Sequence, residues 1–350
     1  MVPAARSTHD ETPTLKSIQA LRGLAAVSVV VFHAFQWLDD QFWIGAAGVD
    51  VFFVISGFII WTVSAGRESS PASFAWRRFT RVAPAYWLMT LAVAAIALAD
   101  PAFLPQVSVT PPHLVLSLAF IPRRDPHGLV FPLLPPGWTL NYEAMFYLIV
   151  AAALLAPPRL RFALVLAALA GVAAFGLAYP PAYGMGANLM MAEFAVGAWL
   201  GRRYILKRRI EAGAGAVFAA IGLAMFTGLY RGGVHGSVFV EFFRPILWGA
   251  PAALIVAGAV AMEQGRAIRA PALLERLGDA SYAIYLCHMP ATALVGHTLG
   301  TRPEGVFVPA AVLASIAVGF GFHFAVEKPL IAACRALPHR RPGQHRQVAL

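Results

Sequence analysis

Long apolar segments recur along this chain, and they limit its fold more than any other feature. A helix of about 20 apolar residues crosses the hydrocarbon core of a bilayer, which is roughly 30 Å thick. A helix also satisfies its own backbone hydrogen bonds, which lipid cannot do. We therefore predict an all-α integral membrane protein of about ten transmembrane helices, at residues 17–38, 43–66, 83–103, 139–156, 160–179, 186–202, 211–230, 242–262, 277–297 and 306–326.

The composition also favours lipid as the solvent for much of the surface. The 350 residues are 59% hydrophobic and 13% charged, with a mean hydropathy of +0.67, whereas soluble domains are about 45–50% apolar and about 25% charged. A net charge of +10 would be consistent with nucleic-acid binding. The arginines, however, lie between apolar segments, as in the cytoplasmic loops of membrane proteins. We expect membrane lipid and no nucleic acid as a partner. The two cysteines, Cys287 and Cys334, predict neither a disulfide framework nor a metal site.

The distribution of positive charge predicts the orientation. With the N-terminus in the cytoplasm, ten spans leave few basic residues outside, namely Arg123, Arg124, Arg231, Arg244 and Arg302. This bias predicts that the N- and C-termini are both cytoplasmic. The predicted organisation is a tail at 1–16, a membrane domain at 17–330 and a second tail at 331–350. The apolar segment 113–122 is too short to span, so we interpret it as re-entrant or interfacial.

Ionisable residues inside spans are costly and usually mark function. Arg22 and His33 lie eleven residues apart in the first predicted helix, on nearly one face and about 16 Å apart along its axis. We predict that Asp50, at a similar depth in the next helix, orients the His33 imidazole for general base catalysis. The alternatives are that Arg22 snorkels to the interface, that His33 is a hydrogen-bonded core residue, and that Asp50 complements a helix dipole.

Further polar residues follow in later spans. Glu143 lies about one turn inside a helix that enters from the outer side, toward which His33 is also displaced; dipole complementation is the alternative. The ninth span contains Tyr282, Tyr285 and His288. These residues either take a direct part in the chemistry or form hydrogen bonds where two neighbouring helices meet.

A dense basic cluster precedes the third span. It contains Arg77, Arg78 and Arg81. Basic residues are common in the cytoplasmic loops of any membrane protein, but guanidinium groups are also suited to bind the phosphates of a cytosolic donor.

At these positions the sequence resembles the acyltransferase 3 family of membrane proteins. The matching stretches are Ile18–Ala26 (IQALRGLAA) followed by His33, Gly48–Phe58 (GVDVFFVISGF), Arg77–Pro84 (RRFTRVAP), Trp138–Tyr147 (WTLNYEAMFY), Ser281–His288 (SYAIYLCH) and Glu327–Pro329 (EKP). The opening at Ile18 looks like the exopolysaccharide acetyltransferase branch. The resemblance implies O-acylation of a carbohydrate, with acetyl-CoA as the usual donor, in the cytoplasmic (inner) membrane of a bacterium.

Joined to the geometry, the resemblance gives a mechanistic hypothesis. Arg22, Arg77, Arg78 and Arg81 would hold the donor, and His33, Asp50 and Glu143 would be catalytic, with His33 as general base or transient acyl carrier. The residues expected to bind the acceptor or support the site are Trp138, Tyr147, Tyr282, Tyr285 and His288. No metal and no tightly bound cofactor are expected. Transfer is either direct or completed by a separate periplasmic partner.

Other function classes are also consistent with intramembrane His, Asp and Glu residues. A proton-coupled transporter is the strongest of them, and a scaffolding protein is another. Substrate-dependent release of free CoA separates the enzyme from both. The acceptor stays open between an exopolysaccharide, an O-antigen, a glycolipid and a small molecule, and so does the length of the acyl chain.

Overall fold

A computed structural model describes residues 15–38, 42–65, 70–124, 128, 130–178, 188–233 and 243–336. Across these residues the protein is helical and contains no strand. The α-helices are α1 (Lys16–Gln36), α2 (Ala47–Ala65), α3 (Pro71–Ala99), α4 (Pro111–Leu118), α5 (Trp138–Ala153), α6 (Pro158–Ala178), α7 (Met191–Ile205), α8 (Ala212–Arg231), α9 (Ala250–Gln264), α10 (Ala272–Asp279), α11 (Ser281–Leu299), α12 (Glu304–Phe322) and α13 (Lys328–Ala336). Most of both predicted tails (1–14 and 337–350) and four ends of predicted spans (66, 179, 186–187 and 242) lie outside the described residues.

Seven helical segments of the described residues are long and apolar enough to cross a membrane: Lys16–Gln36, Trp43–Ser64, Pro71–Ala99, Pro158–Gly176, Ala212–Arg231, Pro245–Gln264 and Gly305–Ala336. The other three predicted spans are also helical, as α5, α7 and α11. The first two are short, with 16 and 15 residues, and α11 carries polar groups along its 19 residues. The protein is therefore an all-helical, multi-pass membrane protein, while ten spans and cytoplasmic termini stay predictions.

Contacts between helix ends show that α1 and α9 run in opposite directions, whereas α1, α3 and α11 all end on the same side of the bundle. At one end of the bundle, the first residue of α1 meets the last turn of α9, because the Lys16 backbone N–H donates to Glu263 Oε1 at 3.0 Å. At the other end, the Trp37 and His297 rings lie 6.2 Å apart, and His297 Nε2 donates to the Phe103 carbonyl at 3.2 Å. The first end is the one that the charge distribution predicts to be cytoplasmic.

The third span starts earlier than the hydropathy predicts. Helix α3 begins at Pro71, where the Ser70 hydroxyl accepts a hydrogen bond from the Ser73 N–H at 3.2 Å, and proline suits the first helical position. Its 29 residues include the basic cluster 77–81. These arginines thus project from a rigid helix and not from a loop.

Helix α5 begins inside the bundle. The segment before it is buried, with Leu133 and Leu134 at most 1% exposed. A Cβ on Gly137 would lie 2.6 Å from the ring of Tyr86, a fully buried residue in the middle of α3. Non-helical backbone at membrane depth is tolerated where protein covers it, and here it delivers the first turn of α5 to the centre of the protein.

Glycines bring α2 and α7 into backbone contact. A Cβ on Gly57 would lie 2.2 Å from the Phe194 carbonyl oxygen, and one on Gly197 would lie 2.1 Å from that of Val54. Gly197 and Gly201 are four residues apart, the small-residue spacing that favours close packing of membrane helices. This contact fixes α2 as a central element of the bundle.

The segment 113–122 does not span, as the sequence predicts. Its first six residues belong to the eight-residue helix α4, where the His113 ring nitrogens lie 3.1 Å from the Ser108 carbonyl and 2.9 Å from the Phe131 carbonyl. His113 thereby ties together the long connection between α3 and α5.

Candidate active site

A cavity of about 140 Å³ lies between α1, α2, α3, α5 and α11. We call it the central cavity. Its apolar walls carry polar and charged groups from all five helices, namely Arg22, Ser56, Arg78, Arg81, Thr139, Glu143, Tyr147, Ser281, Tyr282 and Tyr285. Three of the four predicted donor-binding arginines therefore meet in one site with the predicted catalytic glutamate. Arg77 does not line this cavity.

The Glu143 carboxylate is held in place by two hydroxyl groups. Ser56 Oγ donates to its Oε1 at 3.0 Å, and the Tyr147 hydroxyl, one helical turn further along α5, donates to the same oxygen. Glu143 was predicted to lie on the outer side with His33. That prediction is wrong, because α5 begins deep in the bundle and carries Glu143 down to the cavity that Arg22 lines.

Arg22 is positioned by a short polar chain. Its Nη1 donates to Gln19 Oε1 at 3.0 Å, and Gln19 Nε2 donates to Asp279 Oδ1 at 2.7 Å. These hydrogen bonds hold the Arg22 side chain where it lines the cavity, so it does not simply snorkel to the interface.

The arginines of α3 are held differently. Arg81 pairs with Glu327, a fully buried carboxylate whose other oxygen lies 2.6 Å from His323 Nδ1. The Arg78 guanidinium lies 5.9 Å from the centroid of the Phe74 ring, and its buried Nε has no hydrogen-bond partner. An apolar site lined by three guanidinium groups is suited to bind an anion.

The predicted pairing of His33 with Asp50 is wrong. The Asp50 carboxylate is fully buried and binds Arg244, with Nε donating to Oδ1 at 3.1 Å and Nη2 to Oδ2 at 2.9 Å. His33 Nδ1 instead lies 2.7 Å from Gln36 Oε1, one turn along the same helix. An amide oxygen only accepts, so this contact puts the proton on Nδ1 and leaves the lone pair on Nε2.

His33 lies beyond the end of the central cavity, beside His288. The two imidazole rings are 4.9 Å apart, and the His288 ring is 5.7 Å from that of Tyr285. Tyr285 and Phe52 both line the cavity and contact each other at 5.9 Å. Tyr285 therefore connects the wall of the cavity to the histidine pair.

The remaining predicted site residues support this arrangement. The Tyr285 hydroxyl donates to the Pro136 carbonyl at 3.1 Å and lies 3.0 Å from Thr139 Oγ1, while the Tyr282 hydroxyl donates to the Val82 carbonyl at 2.7 Å. His288 is fully buried, with Nδ1 2.6 Å from the Tyr285 carbonyl and no partner at Nε2.

Trp138 does not line the cavity. Its ring packs 6.3 Å from Phe53 and 5.8 Å from Tyr142, so it supports the first turn of α5.

Two partners of site residues were missed from the sequence. Arg244 was assigned only to an outer loop, and Glu327 was recognised only as part of a motif that closes the last span. The sequence did contain a signal for both partners: a carboxylate or guanidinium at membrane depth is usually paired with an opposite charge.

The helices and the central cavity define a multi-pass membrane protein with a cavity that three guanidinium groups and a carboxylate line. The chain belongs to the acyltransferase 3 family: residues 15–324 match its domain, described as "Acyltransferase domain". Membership identifies it as a membrane acyltransferase, and this decides against the transporter and scaffold interpretations. No solved structure matches the chain.

Three relatives illustrate the similarity. The exopolysaccharide production protein ExoZ of Rhizobium meliloti is 36% identical over 88% of this chain and 96% of its own. The acyltransferase MdmB of Streptomyces mycarofaciens is 29% identical over 94% of each chain. The peptidoglycan O-acetyltransferase OatA of Listeria monocytogenes is 30% identical over 43% of this chain and 26% of its own.

Proposed function

We propose that this protein transfers an acyl group, typically acetyl, from a cytoplasmic acyl-CoA to a hydroxyl of a cell-surface carbohydrate. One observation carries the proposal: Arg22, Arg78 and Arg81 share a membrane-embedded cavity with Glu143 and Tyr285, next to the His33 pair. The similarity over nearly the full length to a protein named for exopolysaccharide production favours an exopolysaccharide as the acceptor. The membrane is the cytoplasmic membrane of a bacterium, with the basic end of the bundle facing the cytosol.

In this proposal the arginines hold the charged part of the donor and the acyl thioester extends toward His33. Arg22 and His33 lie on one helix, about 16 Å apart along its axis, which suits the uncharged pantetheine arm of a CoA thioester. To reach His33, the thioester passes Tyr285, whose ring contacts Phe52 in the cavity wall and His288 of the histidine pair.

The chemistry requires one base and two proton transfers. His33 Nε2 removes the proton from the acceptor hydroxyl, whose oxygen attacks the thioester carbonyl. The carbon–sulfur bond breaks, an oxygen ester forms, and the proton passes to the thiolate to give free CoA. In the alternative with an acyl-enzyme, Nε2 itself attacks the thioester before the hydroxyl does. Gln36 takes the place that the sequence assigned to Asp50, because it fixes the imidazole tautomer.

The experiment measures two products in membranes from a deletion strain that carries either the wild type or His33→Ala. Release of the CoA thiol from acetyl-CoA reports the donor half, and O-acetyl ester on isolated surface glycan reports the acceptor half. We expect both products with the wild type and neither with His33→Ala at equal membrane expression. The matched control is His297→Ala, which changes an exposed histidine of α11 that does not line the cavity and should retain both products.

Either of two results overturns part of the proposal. Equal activity of the His33→Ala variant would remove His33 from the chemistry. Release of CoA without new glycan ester in the wild type would exclude a surface carbohydrate as acceptor.

A further inference from the structure

A second cavity opens at the predicted cytoplasmic end of the bundle. Its volume is about 320 Å³, and we call it the vestibule. It is lined by Gln19, Arg22, Arg81, Asp279, His323, Lys328, Ile331, Ala332 and Arg335. Arg22 and Arg81 line both the vestibule and the central cavity. The two cavities therefore meet at this pair of guanidinium groups.

One face of α13 forms a wall of the vestibule. Lys328, Ile331, Ala332 and Arg335 follow the i, i+3, i+4, i+7 spacing that places residues on one side of a helix. The two cations are exposed and stand about 10 Å apart along the helix axis, with apolar side chains between them. Two cations at this spacing match a ligand that carries phosphate groups at two places.

The charge of the vestibule favours an anion. Arg22, Arg81, Lys328 and Arg335 are opposed among its lining residues by Asp279, which already accepts a hydrogen bond from Gln19 at 2.7 Å. His323 also lines the vestibule. It is 4% exposed, and its Nε2 has no hydrogen-bond partner, while its Nδ1 contacts Glu327. A polar ligand in the vestibule would supply the hydrogen-bond partner that this buried nitrogen lacks.

From this geometry we infer that the vestibule is the subsite for the phosphorylated nucleotide end of the donor, and that Lys328 and Arg335 bind its phosphates. The inference rests on the proposed function. It replaces Arg77 of the predicted donor-binding set with two residues of α13, because Arg77 lines neither cavity. The thioester arm then enters the central cavity between Arg22 and Arg81.

The test compares two donors that share a thioester and differ in phosphate. Acetyl-CoA carries the phosphorylated nucleotide, and S-acetylpantetheine lacks all of it. For the Lys328→Gln/Arg335→Gln double variant in proteoliposomes, we expect the KM for acetyl-CoA to rise roughly tenfold, since two exposed ion pairs are lost. Its KM for S-acetylpantetheine and its kcat with either donor should equal those of the wild type.

A matched control removes the same charge elsewhere at the same end. Arg266 and Arg269 are exposed in the connection between α9 and α10 and do not line the vestibule. The Arg266→Gln/Arg269→Gln variant should therefore keep the wild-type KM for both donors.

Each contrary result has a separate meaning. An unchanged KM for acetyl-CoA in the Lys328/Arg335 variant would refute the subsite while leaving the acyltransferase function intact. An equal rise in KM for both donors, dependent on anionic lipid in the proteoliposomes, would assign the vestibule to a lipid headgroup and also refute it. Failure of the wild type to release CoA from either donor would refute the proposed function, and the subsite with it.

Discussion

The buried pair of Asp50 and Arg244 allows a catalytic role for Asp50 to be separated from a structural one. Asp50 is fully buried, the Arg244 side chain is 12% exposed, and Arg244 Nη2 also donates to the Ala46 carbonyl at 3.2 Å. Glu193, 2% exposed, lies beside them and interacts with both Asp50 and Arg244. The cluster thus holds two carboxyl groups and one guanidinium.

This composition predicts an unequal response to two substitutions. Removing one partner of a buried ion pair costs about 3–5 kcal/mol, or roughly 150- to 5,000-fold in the unfolding equilibrium. Asp50→Asn leaves Glu193 to balance Arg244, so we expect a loss at or below the lower limit of that range. Arg244→Met leaves two buried carboxyl groups without a cation, and we expect a loss near the upper limit.

The assay is reversible unfolding of the purified protein in mixed micelles, with CoA release measured per folded molecule. The Asp50→Asn/Arg244→Met double variant should be more stable than Arg244→Met alone, because neighbouring charges are not additive. It should also retain activity, since neither side chain lines the central cavity. An equal loss for the two single variants would refute the charge argument, and a stable but inactive double variant would restore Asp50 to the catalytic set.

Further predictions follow from other contacts. Glu327→Gln removes the charge that holds Arg81, so the KM for acetyl-CoA should rise roughly tenfold while kcat changes little; an unchanged KM would show that Arg81 is held by other means. Gly197→Val places a side chain on the carbonyl of Val54 and should abolish folding measured by gel filtration in detergent. Gly171→Val, with nothing within 4 Å of its Cβ, should elute as the wild type does.

Much of the bundle could be predicted from the sequence because membrane spans are read from local hydropathy. Arg22 and Glu143 were recognised as charges inside predicted spans, and Arg78 and Arg81 as part of a cytoplasmic basic cluster; the structure gathers all four in one cavity. Glu143 was nevertheless assigned to the wrong depth, because hydropathy does not record where along the bilayer a helix begins.

The ion pairs of the site could not be predicted in the same way. Arg244 lies 194 residues from Asp50, and Glu327 lies 246 residues from Arg81. Such pairs depend on which helices are neighbours and on how each is rotated, and no local pattern records either. Depth matching between consecutive helices therefore gave the wrong partner for Asp50.

The Tyr285 ring in the wall of the central cavity has a consequence for access to the histidine pair. His33 is partly exposed in the last turn of α1, whereas the cavity opens toward the vestibule at the opposite end of the bundle. The Tyr285 ring contacts Phe52 in the cavity wall and His288 of the histidine pair, at 5.9 and 5.7 Å between ring centroids. In the proposed transfer, the position of this one ring decides whether the cavity is continuous with the histidine pair.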